Sequence, residues 1–260
     1  MKSLFLAAAV CLALCGPAFG WGLLTHVELA ESLLGYGTVM ATGLGTLLIR
    51  HRRDFMLGNL LADVVFAKKL SSRRRESHHW SAGWRLMDHA HGDSSRAFAY
   101  GFLTHLAADT VAHNQFVPER IVHSGSTLSL GHLYWELMAD HLAPPGSRKT
   151  VRRLIREPSA AHEQLLEDHL YPRMKWYAFN RGMFTGIQRL AHGSKFRLAV
   201  TLCRELSLFP LRSGELDPYK RQAVDRMADL LLGGRKSTLL REDPNGFEAL
   251  DQIRENRRNG

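Results

Sequence analysis

Residues 98–113 read Phe-Ala-Tyr-Gly-Phe-Leu-Thr-His-Leu-Ala-Ala-Asp-Thr-Val-Ala-His. Phe102, Leu103, Leu106, Ala107, Ala108 and Val111 spread around every side, which predicts a helix buried nearly all round. Yet His105, Asp109 and His113 recur at intervals of four, so on that helix they share one face. A carboxylate placed among apolar side chains needs a compensating partner, because desolvation strongly disfavours its charge. Two partners are open from this segment alone. One is a bound divalent cation, and the other is a buried His–Asp hydrogen bond with His113 at the helix end.

The rest of the chain follows the same helical period. Amphipathic patterns begin at Leu23, Phe55, Leu128, Thr150, Ala161, Ile187, Phe196 and Asp217. Pro144-Pro145-Gly146, Pro210 and Gly233-Gly234 stop three of them. The segment 161–179 reads as one long helical stretch, and 33–49 as a helix–turn broken by glycines. No sustained alternation suggests a sheet, and no internal repeat or linker divides the chain. The expected fold class is all-α, a single multi-helix domain over 21–255 with a basic tail at 256–260.

The first 20 residues read as a secretory leader. Lys2 precedes an apolar run at 4–15, and Ala18-Phe19-Gly20 supplies small residues for cleavage. A lipobox ending at Cys15 is the alternative, though Leu14 directly before the cysteine suits it poorly. Cleavage after Gly20 sends the chain to the periplasm or outside the cell. It removes two of the three cysteines, leaves Cys203 alone, and makes Trp21 the new N-terminus. With no internal disulfide available, bound metal would supply stability outside the cytoplasm. The formal charge of +9 drops to +8 with Lys2 gone, and the basic residues cluster at 50–53, 73–75, 148–153 and 254–258. Such clusters are either solvated helix faces or an attraction to polyanions and anionic lipid.

Composition then sharpens the question raised by the central helix. Of the 14 histidines, nine fall between His78 and His141. His132 and Glu136 repeat the spacing of four on the next apolar helix, and Asp63 ends the apolar run 58–62. His78-His79-Trp80 follows a basic loop, and His26 lies one turn into the first helix. Imidazole and carboxylate ligands without thiolates suit zinc, ahead of manganese or iron. The ligands are too many for one tetrahedral ion, so several ions sharing carboxylates fit the count better.

These residues together resemble the zinc-dependent phospholipase C superfamily, which includes zinc single-strand nucleases and glycosylphosphatidylinositol-specific phospholipases. The resemblance implies an all-α fold around three zinc ions. Trp21 matches the terminal tryptophan whose amine and carbonyl bind zinc, and His26 the histidine sharing that ion. Asp63 matches the aspartate after the Gly-x-x-x run, with Ala62 where many relatives have proline. His105 and Asp109 match the His-x-x-x-Asp pair, with Asp109 bridging two ions. His113, His132 and Glu136 match the second-site ligands. The family's single histidine before an aromatic favours His79 beside Trp80, while Ser77-His78 favours His78, and both are kept.

The implied activity is phosphodiester hydrolysis of phospholipase C type by zinc-bound hydroxide, with Asp63 as catalytic base. Phospholipid is the first substrate, and peripheral contact with an anionic membrane surface accords with the charge. Val64 and Leu24 stand where choline-specific members carry an aromatic and an acid, so no choline cage is evident. Single-strand nucleic acid or nucleotide is the alternative substrate, and a non-catalytic zinc-binding exported protein is the alternative from another class. No protein partner and no substrate-binding residue is inferred. His89, His91, His123, His141 and Asp140 are given no role beyond surface, capping or support, and His51, His162, His169 and His192 none at all.

Overall fold

Two glycines fix the centre of the molecule. A Cβ at Gly58 would lie 2.0 Å from the carbonyl oxygen of Phe98, and one at Gly101 would lie 2.0 Å from that of Phe55. No side chain fits at either position, so two helix backbones touch there. In the computed structural model, which describes residues 21–63, 78–170, 177–191 and 193–259, these helices are α4 (Arg52–Leu61) and α6 (Asp93–Val111). They run parallel. Ser94 meets Asp54 at one end, Asn59 meets Thr104, and His105 meets the Asn59 carbonyl towards the other.

Around this pair the chain lays down helices and, among the described residues, no strand. α1 (Leu23–Leu33) packs on α4, followed by the short α2 (Gly37–Met40) and α3 (Gly43–Arg50). α5 (Trp80–Asp88) lies against α6. A π-helical turn, Ala112–Phe116, leads from α6 into α7 (Val117–Ser124), and α8 (Leu128–His141) pairs with α7. Then come α9 (Pro145–Arg156), α10 (Ala160–His169), α11 (Tyr177–Ala191) and α12 (Ser194–Glu205). The long α13 (Ser213–Gly233) lies along α6, and α14 (Phe247–Asn259) closes the chain against the π turn and α7. The core is one continuous cluster that includes Trp21, Phe55, Phe98, Phe102, Phe116 and Trp135, all buried. The chain forms one all-α domain.

Several expectations need correction. The stretch 161–179 is two helices, α10 and α11, with 171–176 between them outside the described residues. The stop at Pro144-Pro145-Gly146 holds, with α8 ending at His141, and Pro145 also opens α9, where a missing N–H costs no helical bond. The tail expected at 256–260 is the end of α14 as far as Asn259, and Arg257 anchors it by donating to the Ser126 carbonyl at 2.7 Å. The leader, Val64, the cluster 73–75, Trp176 and His192 lie outside the described residues.

Candidate metal centre

The close approach of α4 to α6 makes the site. Asp63 follows the end of α4, and His105 and Asp109 project from α6 one turn apart. The Asn59 carbonyl accepts a hydrogen bond from His105 Nδ1 at 2.9 Å, which fixes the tautomer and turns the Nε2 lone pair inward. α1 adds His26, whose ring stacks on His105 at 3.8 Å. The segment before α5 adds His78. All five side chains are buried.

Their donor atoms converge. His26 Nε2 lies 3.3 Å from Asp109 Oδ1, and His105 Nε2 lies 3.2 Å from Asp109 Oδ2. His78 Nε2 is 3.0 Å from Asp63 Oδ1 and 3.4 Å from His105 Nε2, and the His105–Asp63 distance is 3.7 Å. Two ligands each about 2.0–2.2 Å from a tetrahedral zinc stand about 3.3–3.6 Å apart, so these separations fit the edges of such a coordination shell. Two sets of three, His26–Asp63–His105 and His78–His105–Asp109, each bring donor atoms within 4.8 Å of one another. Both ring nitrogens of His26 and both oxygens of Asp109 are buried without a hydrogen bond. Burial acts to raise the Asp109 pKa, but His105 and His26 beside it hold the carboxyl well below its usual range. Buried lone pairs aimed together and kept from hydrogen bonding are what a cation needs. The donor set therefore fits zinc.

A second group lies farther along the same path. The π turn breaks the straight face expected for residues 105, 109 and 113, since each turn there takes one extra residue. His113 meets α8, its ring 5.0 Å from that of His132, and His132 Nε2 lies 2.9 Å from Glu136 Oε1. Of the two neighbouring histidines, the structure brings His78 to the centre. His79 is exposed, caps the start of α5 and contacts Ser81. The preference for His79 as the inward residue is thus reversed: a side chain spent on capping the first turn points outward.

Trp21 sits at the mouth of α1 with its indole buried, donating to the Ala108 carbonyl at 3.1 Å and stacking on Phe116. Gly22 caps α1 with no side chain of its own, and Asp140 from α8 supplies the missing acceptor. Asp140 takes hydrogen bonds from the amides of Leu24 and Thr25 and from the Thr25 hydroxyl, and burial raises its pKa despite them. A Cβ on Gly22 would fall 2.2 Å from the Asp140 carboxyl carbon, so only glycine admits this cap.

Three supporting residues had no signal read from the sequence. Asn59 acts through its carbonyl. Asn245 Nδ2 donates to the His78 carbonyl at 2.8 Å, and Gly246, at φ 65°, packs its backbone against His113. Asn114 Nδ2 donates to the Asp243 carbonyl, and Trp80 Nε1 to that of Glu242. The turn Asp243-Pro244-Asn245-Gly246 thus braces both groups of histidines. Its composition announces a turn, but nothing in it announces what the turn will touch.

The chain matches the family described as zinc dependent phospholipase C over residues 25–193. The match covers well over half the chain and includes His26, Asp63, His78, His105, Asp109, His113, His132 and Glu136. The protein belongs to that family, and is accordingly a zinc-dependent hydrolase of phospholipase type. Comparison with curated proteins and with solved structures gives no match.

Proposed function

We propose that this chain is an exported phospholipase C that releases phosphorylated head groups from phospholipids at a site of three zinc ions. Family membership supports the class of reaction, and one observation carries the assignment of residues: the buried convergence of His26, Asp63, His78, His105 and Asp109. His113, His132 and Glu136 would hold a further ion of the set. Bound zinc supplies positive charge that acidifies water and offsets charge on the phosphoryl oxygens.

The chain's own residues do the rest. Asp109, with one oxygen towards His26 and the other towards His105, would serve as a ligand shared by two ions. Asp63 takes the proton of the attacking water as its oxygen bonds to phosphorus. The bond from phosphorus to the glycerol oxygen breaks, and that oxygen leaves with a proton from solvent. The products are a diacylglycerol and a phosphorylated head group. Cleavage after Gly20 frees the Trp21 amine to join His26 as a ligand. The docking of Trp21 and the Gly22–Asp140 cap support this, since they hold that residue beside the His26 helix.

A mature chain starting at Trp21 tests the reading. Phosphatidylcholine, phosphatidylethanolamine, phosphatidylglycerol and single-stranded DNA are each offered with chelator, without it, and after zinc is returned. Head-group release that chelator abolishes and zinc restores is the expected result. Cleavage of DNA alone, or of nothing, contradicts it.

A further inference from the structure

We propose that the outer face of α12 and the segment up to Pro210 form a docking surface for an anionic phospholipid bilayer. Leu198, Leu202 and Leu206 recur every four residues, so they line one stripe of the helix and its extension. All three are exposed, and the segment beyond exposes Leu208 at 90% and Phe209. The stripe continues onto the neighbouring helices. Phe209 meets His123 of α7 edge to face at 5.6 Å, beside the exposed Val122. Tyr134 of α8 donates to Ser207 Oγ at 2.6 Å, and exposed Leu130 lies one turn before it on that helix. Large apolar side chains gathered on one face mark an interaction surface, whereas scattered ones do not.

Charge identifies the partner. Lys195 and Arg197 are exposed on α12, and Arg197 also lines a pocket with Arg148, Phe196, Leu24 and Val200. Neither Arg148 nor Arg197 is in an ion pair among the described residues. Asp140 carries the only carboxylate of the described pocket lining, and it is already bound to the start of α1. Burial lowers the pKa of His141 there, and Arg204, Arg148 and Arg197 lower it further, with Glu205, paired to Arg204, opposing them. Lys195 stands one turn before Leu198 on the stripe and Arg197 directly precedes Leu198, so cations border the exposed leucines as phosphates border the acyl chains of an anionic lipid surface. A second copy of the chain would carry the same positive charge to the same place, which disfavours it as occupant.

The purpose of this surface rests on the phospholipid reading above, but the binding itself does not. Sedimentation of the zinc-loaded mature chain with vesicles of phosphatidylcholine, with and without phosphatidylglycerol, tests it. Binding to the anionic vesicles that weakens with salt is expected. Leu202→Glu/Leu206→Glu/Leu208→Glu lowers it by about tenfold or more, and Arg148→Gln/Arg197→Gln removes the preference for phosphatidylglycerol. Both variants keep the wild-type circular dichroism and hydrolyse a dispersed short-chain phospholipid at the wild-type rate. Failure of the wild type to bind, or equal binding by wild type and both variants, overturns the proposal. So does wild-type self-association that the leucine variant abolishes without any vesicle binding. A wild type that binds vesicles but hydrolyses no phospholipid overturns the functional reading and leaves this surface standing.

Discussion

The helix pair α4 and α6 carries a histidine–carboxylate cluster at each end, and the two clusters are built to opposite rules. At the starting end, His162 Nε2 lies 2.9 Å from Asp54 Oδ1, and the Ser94 hydroxyl donates to Asp54 Oδ2 at 2.8 Å. His162 is buried and stacked on Phe98 at 4.5 Å. Both oxygens of that carboxylate have protein partners. At the far end, neither oxygen of Asp109 has a hydrogen bond, though two imidazoles face them. The residue types are the same, though Asp54 is half-buried where Asp109 is fully buried. What differs is whether the protein itself completes the carboxylate, and this would separate a strut from a candidate metal site.

The comparison breaks most sharply at Asp109. Under the proposed function, Asp109→Ala would remove a ligand shared by two ions, and zinc content should fall together with hydrolysis, by roughly a hundredfold or more in rate. Elemental analysis alongside kinetics checks it, and unchanged zinc would put Asp109 in the same class as Asp54. The neighbouring histidines divide next. His78→Ala lowers zinc affinity by at least about tenfold, whereas His79→Ala keeps it and costs about 1 kcal/mol for the lost cap. Competition with a chromophoric chelator reads the first, and thermal melting the second.

The strut should respond to acid and not to chelator. Burial acts to raise the Asp54 pKa, but hydrogen bonds from His162 and Ser94 outweigh it and hold the group below its usual range. A carboxylate with a lowered folded pKa contributes its stability above the unfolded pKa, about 4, and loses it as pH falls through the folded value. Asp54→Asn therefore costs about 1–2 kcal/mol at neutral pH. The difference from wild type shrinks below about pH 4, as denaturant melts at several pH values would show, with zinc content constant throughout. The smallest effect is at Asn245. Asn245→Ala removes one hydrogen bond to the His78 carbonyl, costs about 1 kcal/mol, and weakens zinc binding only a few-fold.

Much of this was legible in the sequence, and the reason is periodicity. Spacings of four placed His105 with Asp109 and His132 with Glu136, and helical geometry carries such pairs directly into space. The break at His113 was not legible, because a π turn depends on what packs around it. Nor was the contrast between His78 and His79, since adjacent residues point apart and only the start of α5 decides which faces in. His162, among charged neighbours, carried no assignable role in the sequence, and its partner Asp54 is 108 positions away. Asp140 likewise caps a helix over a hundred residues distant. The continuation of α14 to Asn259 was not legible for a related reason. A basic, polar sequence can form a helix when tertiary contacts, here Arg257 with the Ser126 carbonyl, hold one side of it.

The central claim is that an unbonded carboxylate among converging imidazoles, rather than any buried His–Asp pair, marks the metal centre. Crystals of the mature chain grown with zinc, measured on both sides of the zinc absorption edge, test it directly. Anomalous peaks should appear among His26, Asp63, His78, His105 and Asp109, with none beside Asp54 and His162. A peak at Asp54 and His162 with none at Asp109 would contradict the account.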